Sequence, residues 1–213
     1  MTPLRKKTDK IRKILRATYP DVNTALTHRN AFELLVATIL SAQTTDRQVN
    51  SVTGALFKKF PKASDLAAAP LREVEALIRP TGFFHNKARN IIACAKALAE
   101  RHNSQVPRRL EALTQLPGVG RKTANVVLGA AFGIPGVVVD THVKRITGRL
   151  GLTEHTDPVK IEYDLMAIVP KRAWNALGLQ LIHFWRDVCH ARKPACPGCP
   201  LKRLCPYPNK TEA

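Results

Sequence analysis

The chain has 213 residues, and 34 lysines and arginines against 16 aspartates and glutamates give a formal charge of +18. Hydrophobic residues make up 45% of it, which excludes a disordered or linker-dominated chain, and no stretch approaches the ~20 uninterrupted apolar residues of a membrane span. The N-terminus lacks the apolar core of a secretion signal, so the expected compartment is cytoplasmic, and so basic a chain points to a polyanionic partner, nucleic acid being the commonest.

Apolar residues recur at helical spacing along most of the sequence. Ile11, Ile14 and Leu15 predict a first helix, and the accompanying Arg5, Lys6, Lys7, Arg12, Lys13 and Arg16 give it a basic face. Phe32, Leu35, Val36, Ile39 and Leu40 follow, with Ala31, Leu34 and Ala37 between them, which predicts a helix buried nearly all round and capped by Asn30 with Glu33. Further stripes run through Val49, Val52, Leu56 and Phe60, then Val74, Leu77 and Ile78, then Ala88, Ile91, Ile92, Ala95, Leu98 and Ala99. Cys94 falls inside that last stripe and reads as a small buried core residue. Ala124, Val127, Leu128, Ala131 and Phe132 mark another helix, and Val143, Ile146 and Leu150 one more. Val137, Val138 and Val139 alone suggest a strand, and three residues without a partner build no sheet, so the predicted fold class is all-α.

Between two of these helices lies Leu116, Pro117, Gly118, Val119, Gly120, followed at once by Arg121, Lys122 and Thr123. Paired glycines let backbone N–H groups converge, and the positive end of the next helix faces the same place, which makes a device for holding phosphate. Such a device reads the backbone of a nucleic acid rather than its bases. Lys122 sits in the first turn of that helix, where it serves either as a solvated phosphate contact or, given a partner carboxylate, as an amine nucleophile. Asp140 is the candidate partner, and its place before Thr141, His142 and Val143 also suits a helix N-cap.

Four of the five cysteines form the pattern Cys189-x6-Cys196-x2-Cys199-x5-Cys205, stiffened by Pro194, Pro197, Pro200 and Pro206. Disulfides do not suit a cytosolic protein, and four unrelated thiols so closely spaced are a weaker reading than a shared metal site. A zinc ribbon would pair two CxxC units across a longer spacer, whereas one CxxC flanked by outlying thiols suits an iron–sulfur cubane; zinc stays as the alternative.

Taken together, Leu116–Val127, Val139–Val143 and the cysteine tail, with Leu40–Asp46 and Thr81–Ala88, resemble the endonuclease III family, the helix-hairpin-helix DNA glycosylases that carry an iron–sulfur cluster. The resemblance implies a six-helix barrel domain over 24–135 and a [4Fe-4S] domain made from 1–23 and 136–213, with the cluster loop at 189–205 and DNA in the cleft between. It implies a bifunctional DNA glycosylase and lyase of abasic sites in base excision repair. Such an enzyme removes oxidised pyrimidines such as thymine glycol and breaks the strand by β-elimination. By position, the nucleophile falls on Lys122, the catalytic aspartate on Asp140 and the cluster ligands on Cys189, Cys196, Cys199 and Cys205. Expected DNA contacts are Gln43, Thr45, Asp46, Phe83, Gly118, Val119, Gly120, Arg121, His142, Arg145 and Arg186, with Gln43 and Phe83 filling the space left by an extruded base. The expected partner is double-stranded DNA with damaged pyrimidines or abasic sites, met by a monomer in a bacterial or archaeal cytoplasm, at the nucleoid.

Two positions depart from the family pattern, Phe84 where a Tyr is common and Trp185 where a Gly usually precedes the Arg matched by Arg186. A mismatch adenine glycosylase, which typically lacks the lysine, and a mismatch thymine glycosylase, which typically has Tyr there, are the enzymatic alternatives. A DNA-binding module without catalysis is the alternative from another class.

Overall fold

The structure is a computed structural model that describes residues 2–212. Among these, the α-helices in chain order are α1 (Pro3–Thr18), α2 (Ala31–Leu40), α3 (Asp46–Lys59), α4 (Ala63–Ala67), α5 (Leu71–Ile78), α6 (Phe84–Arg101), α7 (Leu110–Thr114), α8 (Arg121–Phe132), α9 (Thr141–Arg149), α10 (Pro158–Ile168) and α11 (Trp174–Asp187). No strand occurs among the described residues, and Val137 and Val139 instead bury their side chains in a helical core. None of the described helices is long and apolar enough to cross a membrane.

The chain divides into two compact units, Thr24–Ile134 and Met1–Asn23 with Pro135–Ala213. In the first, α2 is the central element. Leu34, Leu35, Val36, Ala37, Ile39 and Leu40 are all buried, as expected of a helix that is apolar on every side. Its start is held by polar contacts. Asn30 Oδ1 accepts the Glu33 N–H at 2.9 Å, and the buried Glu33 carboxylate accepts the Arg29 N–H at 2.7 Å and the Arg29 guanidinium at 2.6 and 2.9 Å. Helix α8 packs on α2, and α6 on α4 and α5, around Leu56, Ile91, Leu98, Ala124 and Val127. Truncating Leu56, Ile91 or Leu98 to alanine costs about 2–5 kcal/mol.

Gly133 ends α8 with φ +65°, and the Gly133 and Ile134 N–H groups bond back to Gly129 and Leu128 oxygens at 3.2 and 3.0 Å. Ile134 packs on the core of this unit, so the boundary falls after Ile134, one residue before the sequence-based limit.

The other unit gathers α1, α9, α10 and α11 around Ile11, Leu15, Val143, Ile146, Leu165, Leu181 and Phe184. Part of the basic character of α1 is structural. Arg5 donates to the Ala167 oxygen at 2.7 and 3.2 Å and Lys7 to the Leu150 oxygen at 2.6 Å, satisfying carbonyls at the C-terminal ends of α10 and α9. In the first unit Cys94 is 1% exposed, and burial pushes its thiol up to about 12.

Candidate active site

In the unit Thr24–Ile134 the hairpin between α7 and α8 is anchored from below. Leu116 and Val119 are buried in the core, and the Val119 N–H bonds to the Leu116 oxygen at 3.1 Å. Val119, expected among the DNA contacts, therefore turns its side chain inward and uses its N–H within the turn. Gly118 has φ +76°, and a Cβ there would lie 3.0 Å from the Asn90 Cβ, so both the backbone and its neighbour demand glycine. Gly120 is the N-cap of α8 and supplies no capping side chain, so the helix start keeps the character of an anion site. Arg121 and Lys122 occupy the first turn, with Lys122 exposed.

The same unit carries two loops with unusual backbone. Gln43, exposed after α2, has φ 53°, and Phe83, at the N-cap of α6 and 68% exposed, has φ 47°. Left-handed backbone is uncommon outside glycine and is retained where the surrounding structure enforces it, often at functional sites. Thr45 caps α3 by accepting the Gln48 N–H at 3.2 Å, and Asp46 opens that helix. The Thr45 hydroxyl thus has a structural role beside any contact with a ligand.

In the other unit Asp140 is the N-cap of α9, and its Oδ1 accepts the His142 and Val143 N–H groups at 2.9 and 2.8 Å. His142 stacks on Trp185, and Arg145 lies one turn further along α9. Arg186 is exposed in the last turn of α11. Cys189, Cys196, Cys199 and Cys205 line one cavity floored by Leu150, Phe184 and Leu201. Burial, and then the neighbouring Cys189, Cys205 and Cys196, hold the Cys199 thiol above its ordinary value, against the Leu201 N–H, which acts the other way. Arg149 clamps the loop from the side, donating to the His190 oxygen at 2.7 Å, the Ala191 oxygen at 3.0 Å and Cys189 Sγ at 3.4 Å, with its guanidinium over the Tyr207 ring. Among the described residues, no three His, Cys, Asp or Glu side chains converge tightly enough to hold a single metal ion.

Sequence reasoning passed over Lys87, which is 5% exposed and ties the loop of Gln43 to the loop of Phe83. The one signal it offered was its position on the apolar stripe of α6, four residues before Ile91.

An all-helical body with a glycine hairpin opening onto a basic helix start defines a helix-hairpin-helix repair protein, and residues 36–171 match the family model described as HhH-GPD superfamily base excision DNA repair protein. The curated endonuclease III of Synechocystis sp. is 52% identical over 91% of this chain and 89% of its own length. The chain belongs to the endonuclease III family. Two solved structures align with it closely. A non-covalent endonuclease III–DNA complex has a TM-score of 0.91 at 44% identity, covering 97% of this chain and 96% of that one. A trapped endonuclease III–DNA covalent intermediate has a TM-score of 0.89 at 45% identity, covering 97% of each chain.

Proposed function

We propose that this DNA glycosylase and lyase of base excision repair acts on oxidised pyrimidines such as thymine glycol, using Lys122 as nucleophile and Asp140 as the assisting carboxylate. The observation that carries the reading is the exposed Lys122 amine in the first turn of α8, beside the glycine hairpin, in a chain of the endonuclease III family. The helix start and Arg121 hold DNA phosphate, and Arg145 and Arg186 add positive charge in the other unit.

The damaged nucleotide leaves the stack, and Gln43 and Phe83 occupy the vacated space. The neutral Lys122 amine then attacks C1′ of the sugar, the C1′–N bond breaks, and the base departs with the bonding electrons and a proton. Asp140 stabilises positive charge developing on the sugar and assists proton transfer. Loss of a proton from the attacking nitrogen and opening of the ring leave an imine between Lys122 and C1′. That imine acidifies the C2′ proton, whose removal expels the 3′ phosphate by β-elimination. Hydrolysis of the imine returns Lys122.

The four thiols surround a cavity instead of meeting at a point, which suits a [4Fe-4S] cluster taking one thiolate at each corner. Cys189, Cys196, Cys199 and Cys205 would hold it, and in this reading it shapes the loop that carries Arg192, Lys193, Lys202 and Arg203. The chain works as a monomer on double-stranded DNA in a bacterial or archaeal cytoplasm, at the nucleoid. Borohydride reduction during turnover of a duplex with one thymine glycol tests the reading. The wild type is expected to give a covalent protein–DNA adduct and Lys122→Ala none. Base loss without an adduct in the wild type would overturn the role of Lys122.

A further inference from the structure

Lys87 is 5% exposed, and burial holds its amine below the ordinary lysine range. It stands in the first turn of α6, where its N–H bonds to the Phe83 oxygen at 3.1 Å. Its Nζ donates to Thr44 Oγ1 at 2.6 Å and to the Thr81 oxygen at 2.8 Å, and Thr44 Oγ1 in turn donates to the same Thr81 oxygen at 2.5 Å. Thr81 is itself 3% exposed and donates its hydroxyl to the Ile78 oxygen at 2.8 Å. Lysine, hydroxyl and carbonyl thus close a small triangle, buried at Lys87 and Thr81 and half-buried at Thr44. Its corners adjoin the two non-glycine residues with left-handed backbone in this part of the chain. Gln43 immediately precedes Thr44, and Phe83 follows Thr81 by two residues.

Burying a charged amine costs several kcal/mol unless hydrogen bonds replace its water, and a neutral group could satisfy one carbonyl more cheaply. The arrangement makes sense where two loops must be held in one register. We propose that Lys87 is a positioning residue that locks the Gln43 loop and the Phe83 loop together, so that both side chains enter the DNA stack as one wedge. The inference rests on the proposed wedge role of Gln43 and Phe83. If one loop is released, the strained backbone of its wedge residue relaxes, and the other side chain must fill the gap alone.

The experiment measures base extrusion and excision separately. Thymine glycol is placed in a duplex beside 2-aminopurine, whose fluorescence reports unstacking, and single-turnover excision is followed on the same duplex and on one with an abasic site opposite the lesion, where no partner base has to be displaced. The variants are Lys87→Met, Thr44→Val, Gln43→Ala and Phe83→Ala, each with its melting temperature. Lys87→Met and Thr44→Val are expected to slow extrusion and excision on the paired lesion by about tenfold, the size of one lost coupling between contacting groups, and to leave the lesion facing an abasic site within about twofold of wild type. Lys87→Met combined with Gln43→Ala should slow the paired reaction by less than the product of the single effects. Equal slowing on both substrates, or no slowing where Gln43→Ala and Phe83→Ala do slow extrusion, would overturn the coupling. If Gln43→Ala and Phe83→Ala leave extrusion unchanged, the wedge reading itself falls, and the coupling with it. Should Lys87→Met not fold, Thr44→Val, which keeps the lysine, decides alone.

Discussion

The imidazole of His142 lies on the indole of Trp185, with ring centroids 3.5 Å apart and planes 18° from parallel. Arg145 Nη2 stands 3.3 Å from His142 Nδ1, so in the tautomer with Nδ1 unprotonated the ring is held on one face and at one edge. Trp185, which the sequence reading sets apart from the family pattern, is the side chain that holds the ring. An aromatic pair of this kind contributes about 0.5–1.5 kcal/mol beyond its buried area. Trp185→Ala is expected to weaken binding of an abasic-site duplex several-fold in a filter-binding titration, with the single-turnover rate at saturation unchanged. An unaltered affinity would make the stack a packing feature only.

Asp140 serves both a helix and, in the proposed chemistry, a sugar, and two substitutions separate the roles. Asp140→Ala removes the acceptor for the His142 and Val143 N–H groups and should lower stability by about 1 kcal/mol. Asp140→Asn keeps an oxygen at the same place, so its melting temperature should stay close to wild type while single-turnover excision falls by orders of magnitude. Retained excision in Asp140→Asn would reduce the carboxylate to a cap.

The two hairpin glycines should respond differently to the same change. Gly118→Ala meets both a φ of +76° and the Asn90 side chain at 3.0 Å, and is expected to cost about 1–3 kcal/mol and to weaken DNA binding. Gly120 has φ −86° with nothing within 4 Å of an added Cβ, so Gly120→Ala should leave the melting temperature nearly unchanged. Thermal denaturation and a binding titration on both variants check the contrast.

Cys94 gives a pH prediction whose sign follows from burial. Its thiol is pushed from 9.0 up to about 12 in the folded chain, so the unfolded chain loses this proton first as pH rises. The contribution of this group to stability is therefore complete below about pH 9 and is lost progressively toward pH 12. At pH 8.5 iodoacetamide should leave Cys94 unmodified in the folded protein and label it in guanidinium, read by mass spectrometry of its peptide.

The features legible in the sequence share a strong local signal. Helix α2 is apolar on every side, the glycine hairpin has its own turn chemistry, and four closely spaced cysteines point to one shared ligand. Helices α4 and α7 were not legible because each spans only five residues, too short to show a period. Lys87 was hidden for a different reason. A lysine within a helix ordinarily reads as a solvated charge, and only the approach of Thr44 and Thr81, distant in sequence, makes it a buried donor. The basic residues of α1 looked alike, yet Arg5 and Lys7 close helix ends, a distinction that depends on carbonyls more than a hundred residues away. Residue type and spacing reveal what a site is made of, while the shared use of one side chain by two loops appears only in three dimensions.

The unit built from Met1–Asn23 and Pro135–Ala213 is interrupted in the chain by all of Thr24–Ile134. Helix α1 therefore leaves the ribosome well before the helices it packs on, α10 and α11. Until those emerge, Ile11 and Leu15 have no core to enter, while the intervening unit already has its whole sequence at hand and can fold without them. The strongly basic surface of α1 helps to keep the waiting segment in water and away from other nascent chains. The order of synthesis thus makes the cysteine-bearing unit the later of the two to be completed.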